Sequence, residues 1–167
     1  HHLGRSLVGV WAIEFPGVQS VMMIFNIFRQ RPAEVFFGEA KRRGVGIIVR
    51  VPLASGMLTG KMTRDTTFAR DDHRSFNRQG QAFDKGETFS GVDFETGLKA
   101  VEELRLLVPQ NASMAQMALR WILMFNAVTC TVPGAKRPEQ AEDNIRAADL
   151  PELSDETMDH IKTVYDR

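Results

Sequence analysis

A single cysteine, Cys130, occurs in 167 residues, so no internal disulfide can form. Its apolar neighbours fit a buried structural thiol better than a nucleophile and favour a reducing compartment. No apolar run approaches the roughly 20 residues that a membrane span needs. Charge of either sign is not in excess: Lys plus Arg number 21, as do Asp plus Glu. No net field therefore draws the chain to nucleic acid or to an anionic membrane, and any anion site must be local. The opening HHLGRSLVGVW has no small-residue cleavage pattern, which makes the cytoplasm the expected location. His1 and His2 resemble the end of a purification tag and are assigned no role. With 43% hydrophobic and 25% charged residues, the remainder reads as one globular domain with a core, without repeats or low-complexity tracts.

Along the chain, strands and helices alternate. GVQSVMMIFNIF (17–28) is a continuous apolar run, expected to be a central parallel strand buried on both faces. A helix follows, opened by Pro32, with Lys41, Arg42 and Arg43 suiting the negative end of its dipole and Gly44 ending it. GIIVRVPL (46–53) repeats the strand pattern and runs into a loop with two glycines. Residues 59–92 are polar and without sustained period, a length that fits either a functional lid or a solvated insertion. Asp93 can cap a helix in which Phe94, Leu98, Val101 and Leu104 recur up to Val108-Pro109. Ser113 and Gln116 have capping-box spacing ahead of MALRWILMF, a helix apolar on every side, whose Met114, Met117, Trp121 and Met124 are read as core. AVTCTVPG (127–134) gives a third strand, Pro138 opens a helix to about Ala148, and Ser154 caps a last one packed through Met158, Ile161, Val164 and Tyr165. The order implies an α/β protein with a parallel sheet.

Two strand-to-helix loops hold the chemistry. Where a helix starts directly after a parallel strand, its first N–H groups lack partners and its dipole favours an anion. In TCTVPGAKRPEQAEDN (129–144), Lys136 and Arg137 add charge there and Gly134 lets the backbone approach a ligand. Ordinary exposed cations would give the same pattern. The loop after the preceding strand raises the case for phosphate, because barrel phosphate sites are often built from the loops of the last two strands.

VPLASGMLTGKM resembles the Pro-Leu-Ala-x-Gly-x-Leu-Thr-Gly-Lys segment of the aldo-keto reductases, and VPGAKRPEQAEDN resembles their NADP(H)-binding segment. ALRWIL between them and FNIFRQRP ahead of both also look like segments of that family, so the resemblance runs over about residues 12–167. It implies a partial (β/α)8 TIM barrel, the C-terminal portion with three parallel strands (strands 6 to 8) and a C-terminal helix. Residues 1–167 would form a single incomplete domain without the N-terminal half of the barrel, with 59–92 as its long loop. Carried over, Pro52, Leu53, Ala54, Gly56 and Leu58 embrace the pyrophosphate, with Lys61 assisting. Gly134, Ala135, Lys136, Arg137 and Gln140 hold the adenosine 2′-phosphate, and Asp143 and Asn144 hold the adenine. Two cations at that helix start favour NADPH over NADH.

Several positions depart from the pattern. Arg50 stands where the family's aromatic residue stacks on the nicotinamide; a planar guanidinium can stack too, but it disfavours the cationic oxidised ring. Val51 replaces a common serine. Met22 replaces the glutamine that holds the carboxamide and cannot make two amide hydrogen bonds, which leaves Asn26 or an absent segment to compensate. The family's Asp, Tyr, Lys and His tetrad comes from the first half of the barrel, and neither Tyr165, His73 nor His160 matches it. No catalytic residue and no metal ligand is therefore assigned. Three parallel strands cannot close an eight-stranded barrel, so the chain is expected to be insoluble, oligomeric or marginally stable alone. The start HHLGRSLVGV, lying where the family has a helix, is read as a broken upstream boundary.

The resemblance implies an oxidoreductase that reduces aldehydes or ketones with NADPH, with this chain alone not catalytic. Its partners would be the nicotinamide cofactor, a small carbonyl substrate in the intact enzyme, and the missing N-terminal half-barrel or a second copy; nucleic acid and membrane are not expected. Phe68, Phe76, Phe83 and Phe89 either line the substrate mouth or pack conventionally. Two other readings stay open: a non-catalytic nucleotide-binding or regulatory half-barrel, and an unrelated barrel enzyme with a phosphorylated substrate.

Overall fold

Three short strands carry the architecture: β1 (Ser20–Ile24), β2 (Gly46–Arg50) and β3 (Val128–Thr131). All are parallel, in the order β1-β2-β3, with Ser20 opposite Gly46 and Ile24 opposite Arg50. Ile48 pairs with Cys130 after a register shift next to Ile47. The structure, a computed structural model, describes residues 11–167. His1, His2 and the boundary read from HHLGRSLVGV lie outside the described residues.

Successive residues of a strand point to opposite faces, and the two faces of this sheet differ sharply. Ile47 and Val49 are fully buried under the helices, where Phe25, Phe37, Trp121 and Phe125 pack with ring centroids 4.7–5.9 Å apart. On the other face Met22, Ile48 and Cys130 form one cross-strand row, with Met22 56% exposed, Ile48 half-buried and Cys130 exposed. This corrects two expectations. β1 is an edge strand among the described residues, and the fully apolar environment begins only at its end, over Ile24 to Phe28. Cys130 is not a buried thiol, because its strand position turns it to the face that no described element covers.

The helices follow local signals. Pro32 opens α1 (Arg31–Val35), but the expected single helix breaks at Phe36 (φ −122°) and resumes as α2 (Phe37–Arg42) before Gly44, at φ 68°, ends it. The long segment 59–92 contains α3 (His73–Phe76) and two single 3₁₀ turns, and it buries Asn77, Thr88 and Phe89. Asp93 caps α4 (Phe94–Arg105), which stops short of the expected Val108. Both halves of the Ser113/Gln116 capping box form at α5 (Met114–Leu123), and most of that helix is buried, as its all-round apolar pattern demands. Pro138 begins α6 (Pro138–Ile145), which tightens into a 3₁₀ turn at Arg146–Asp149. Ser154 caps α7 (Asp155–Tyr165), anchored by buried Ile161 and Val164.

Candidate functional site

The loop after β2 is shaped by its backbone. Val51, Ala54 and Ser55 have φ of 53°, 48° and 58°, and Gly56 has 95°. A left-handed β-branched residue such as Val51 is a true outlier, and each such non-glycine residue costs on the order of 1–2 kcal/mol. Surrounding contacts hold it: the Val51 carbonyl accepts from Ala54 N–H at 3.1 Å and from Asn26 Nδ2 at 2.8 Å. Ala54, Met57 and Leu58, all 0% exposed, sink the far side of the loop into the core. Helix α4 comes close enough there that a Cβ on Gly97 would lie 2.2 Å from Met57 Sδ. Ala54 and Leu58 thus support the loop from beneath and present no surface to a ligand.

The loop after β3 is the opposite case. Gly134, Ala135, Lys136 and Arg137 are all exposed. The helix start below them is partly self-satisfied. Lys136 N–H donates to Gln140 Oε1 at 2.8 Å, Gln140 N–H and Ala141 N–H donate to the Arg137 carbonyl at 3.1 and 3.4 Å, and Pro138 has no N–H. Arg137 N–H and Glu139 N–H keep no partner among the described residues, so part of the expected row of free donors is present. This loop offers an anion the Lys136 and Arg137 side chains, the Arg137 and Glu139 N–H groups, and Gln140 Nε2, which is unengaged among the described residues.

Between the loops lies a cleft of about 910 Å³. Pro52, Leu53 and Gly56 form one bank and Gly134, Ala135, Lys136 and Gln140 another. Segment 59–92 supplies the third, through Asp71, Asp72, His73, Arg74, Phe76, Phe83 and Glu87. Of the other expected residues, Ala54 and Leu58 lie in the core, Lys61 and Arg137 are exposed outside the lining, and Arg50, half-buried, is outside the lining too. Asp143 is engaged in packing: it accepts from Gln116 Nε2 at 2.9 Å and Ser113 Oγ at 3.3 Å, docking α6 onto the start of α5, with Asn144 half-buried beside it. Asn26 is a strut, bonding Val51 O, Ser90 Oγ at 2.7 Å and Phe28 N–H at 2.9 Å, so its amide is not free to replace the glutamine for which Met22 stands.

Sequence reasoning missed the charged groups of the third bank. Arg50, at the end of β2, donates both arms of its guanidinium to Glu87, with Nη1 2.6 Å from Oε2. Arg50 holds the Glu87 carboxyl below the usual range, and Glu87 raises the Arg50 guanidinium in turn. Asp72 caps α3 by accepting from Arg74 N–H at 2.9 Å and also takes the Arg74 guanidinium at 2.6 Å, which lowers its carboxyl to about 2. Arg74 lies 4.5 Å above the Phe68 ring. His73 Nδ1 is 3.1 Å from Thr88 Oγ1. The phenylalanines divide: Phe76 and Phe83 are 41% and 44% exposed on the cleft, whereas Phe68 and Phe89 pack with Phe94. Only the Asp-x-Arg spacing at 72–74 is a local sign of any of this; the pairing of Arg50 with Glu87 spans 37 positions.

Comparisons with known proteins give the family and the fold. The family model "Aldo/keto reductase family" matches residues 10–166. An L-glyceraldehyde 3-phosphate reductase of Escherichia coli O157:H7 is 35% identical over 122 residues, 72% of this chain and 34% of the relative. A probable voltage-gated potassium channel subunit beta of Oryza sativa is 30% identical over 148 residues, 84% of this chain and 42% of the relative. The solved glycerol dehydrogenase of Gluconobacter oxydans is 27% identical with a TM-score of 0.70, over 87% of this chain and 41% of its own. The chain thus spans between 34% and 42% of the length of these relatives. Its three-stranded parallel sheet with covering helices fits part of their barrel. The reading as an unrelated barrel enzyme is set aside. With the match running over residues 10–166, the chain belongs to the aldo/keto reductase family.

Proposed function

We propose that residues 1–167 are the cofactor-binding C-terminal half of an NADPH-dependent carbonyl reductase, a single domain whose remaining strands lie outside this sequence. The carrying observation is that two loops about 80 positions apart, after β2 and after β3, face each other across one cleft. The donor set suits a dinucleotide phosphate. Gly56, whose φ of 95° suits glycine, leaves the first bank open to backbone contact with a pyrophosphate. Lys136, Arg137 and Gln140 offer two cations and an amide to a 2′-phosphate. Pro52, Leu53, Gly134 and Ala135 shape the cleft walls, Ala54 and Leu58 fix the first loop from beneath, and Lys61 lies nearby on its exposed flank. Asp143 and Asn144, held against α5, would present the adenine side, and Arg50 the ring side.

A nicotinamide bound there would supply a hydride to an aldehyde or ketone. The contribution of this chain is to bind and orient, with the proton donor assigned to a tyrosine beyond it. The open sheet face with Met22 and Cys130 would be covered by the remaining strands or by a second copy, so the isolated chain should self-associate. A clean monomer with a sharp two-state melt would count against that. Cofactor preference is tested by titrating NADPH, NADH and 2′-phospho-AMP into the chain and into Lys136→Ala/Arg137→Ala. Preference for the 2′-phosphate, abolished in the double variant, is expected; equal binding by NADH refutes it.

The similarity to a channel β subunit, together with methionine at position 22, favours a second reading as a non-catalytic nucleotide-binding or regulatory half-barrel. Mixing the chain with its missing half separates the two, since only the first predicts turnover.

A further inference from the structure

Arg50 sits at the end of β2 with its side chain 37% exposed, and Glu87, 25% exposed, lines the cleft beside it. The pair is bidentate, the geometry in which a guanidinium and a carboxylate are held most rigidly. Partly exposed ion pairs add modestly to stability, and this one is not the only tie of its loop. Ser55 Oγ already donates to the Glu87 carbonyl at 3.0 Å and accepts from Phe89 N–H at 3.1 Å, and Asn26 reaches Ser90. The pair also joins a cleft-lining carboxylate, Glu87, to a guanidinium that is not itself in the lining but stands one residue before Val51, which is. Arg50 is the principal cause that holds the Glu87 carboxyl low, with Arg29 a lesser one.

We infer that Glu87 is a positioning residue that compensates the charge of Arg50 and thereby sets how far the cleft favours the reduced over the oxidised nicotinamide. The inference rests on the NADP(H) reading proposed above. The oxidised ring carries a positive charge that the reduced ring lacks, so an uncompensated guanidinium beside it weakens only the oxidised form. Glu87 cancels much of that penalty and lets one site hold both forms of the cofactor. Across a separation of about 6 Å, with an effective dielectric between about 40 and 80, one uncompensated charge alters the ratio of the two affinities by about three- to tenfold.

The test is calorimetric titration of the full 167-residue chain with NADP+, NADPH and 2′-phospho-AMP, in the wild type and in Glu87→Gln, Glu87→Asp and Arg50→Gln. Glu87→Gln should weaken NADP+ relative to NADPH by about three- to tenfold, and Glu87→Asp should restore the ratio. Arg50→Gln, which leaves the carboxylate without its bidentate partner, should shift the ratio the other way; a mere loss of structure cannot reverse a sign. All three should bind 2′-phospho-AMP as the wild type does, because that ligand has no nicotinamide. An equal loss for both oxidation states, or an unchanged ratio in Glu87→Gln and Arg50→Gln, overturns the inference while leaving the NADP(H) reading intact. Failure of the wild type to bind 2′-phospho-AMP overturns the reading and the inference with it.

Discussion

The two strand-end loops facing the cleft are built on opposite principles. The loop after β2 is buried, left-handed at four positions and held by side chains far away in sequence. The loop after β3 is exposed, partly self-contained in its hydrogen bonds, and distinguished by two cations. One supplies shape and the other charge. Substitutions in the first should therefore affect stability, and substitutions in the second should affect ligand preference and leave stability almost unchanged.

The strongest test of that contrast is Leu58→Ala. Leu58 is 0% exposed, and truncation should destabilise the chain by about 2–5 kcal/mol, read as a lower denaturation midpoint at constant slope. Next comes Gly56→Ala. At φ 95°, with the added Cβ 3.1 Å from Met62 Cε, about 1–2 kcal/mol should be lost, and a smaller loss would mean that the loop relaxes freely.

Acid should then loosen the third bank. The Asp72 and Glu87 carboxyls are both lowered in the folded state, by Arg74 and Arg50 respectively. Their contribution is fully present above their unfolded values of 3.8 and 4.5 and is lost as pH falls through the lowered folded values, about 2 for Asp72. Proteolysis within 59–92 should therefore accelerate below about pH 4.5. A rate unchanged down to pH 2 would show that the pairs do not hold the segment.

Val51→Gly should have a smaller net effect. Relief of about 1–2 kcal/mol of left-handed strain opposes the roughly 0.5–1 kcal/mol chain-entropy cost of glycine, leaving a gain of no more than about 1.5 kcal/mol. Loss of more than 2 kcal/mol would show that packing by the Val51 side chain outweighs its strain. Smallest of all, Lys136→Ala/Arg137→Ala should alter the melting midpoint by no more than about 0.5 kcal/mol equivalent while removing 2′-phosphate preference. A large stability loss there would erase the contrast between the loops.

What was legible before the structure follows the same division. Caps are local, so Asp93, Ser113 with Gln116, and Ser154 announced their helices, and Pro32 and Pro138 announced theirs. The cations of the second loop were equally plain, since their charge needs no partner to be recognised. Strand burial was misread at 17–28, because an apolar run records hydrophobicity and not which face finds a neighbour. Cys130 was misplaced for the same reason. Segment 59–92 looked featureless since its order comes from single side chains without any period: Asn77 and Thr88 bond within the segment, and Glu87 bonds back to Arg50.

By itself, then, the sequence determined the alternating α/β order, the helix starts and the two motif loops, each of which depends on residues only a few positions apart. Tertiary structure decided which motif residues reach the cleft and which, like Leu58 and Asp143, hold it together. It also decided that Arg50 is paired and that Asn26 is committed. Those outcomes depend on contacts between residues tens of positions apart, and such contacts exist only once the chain has packed.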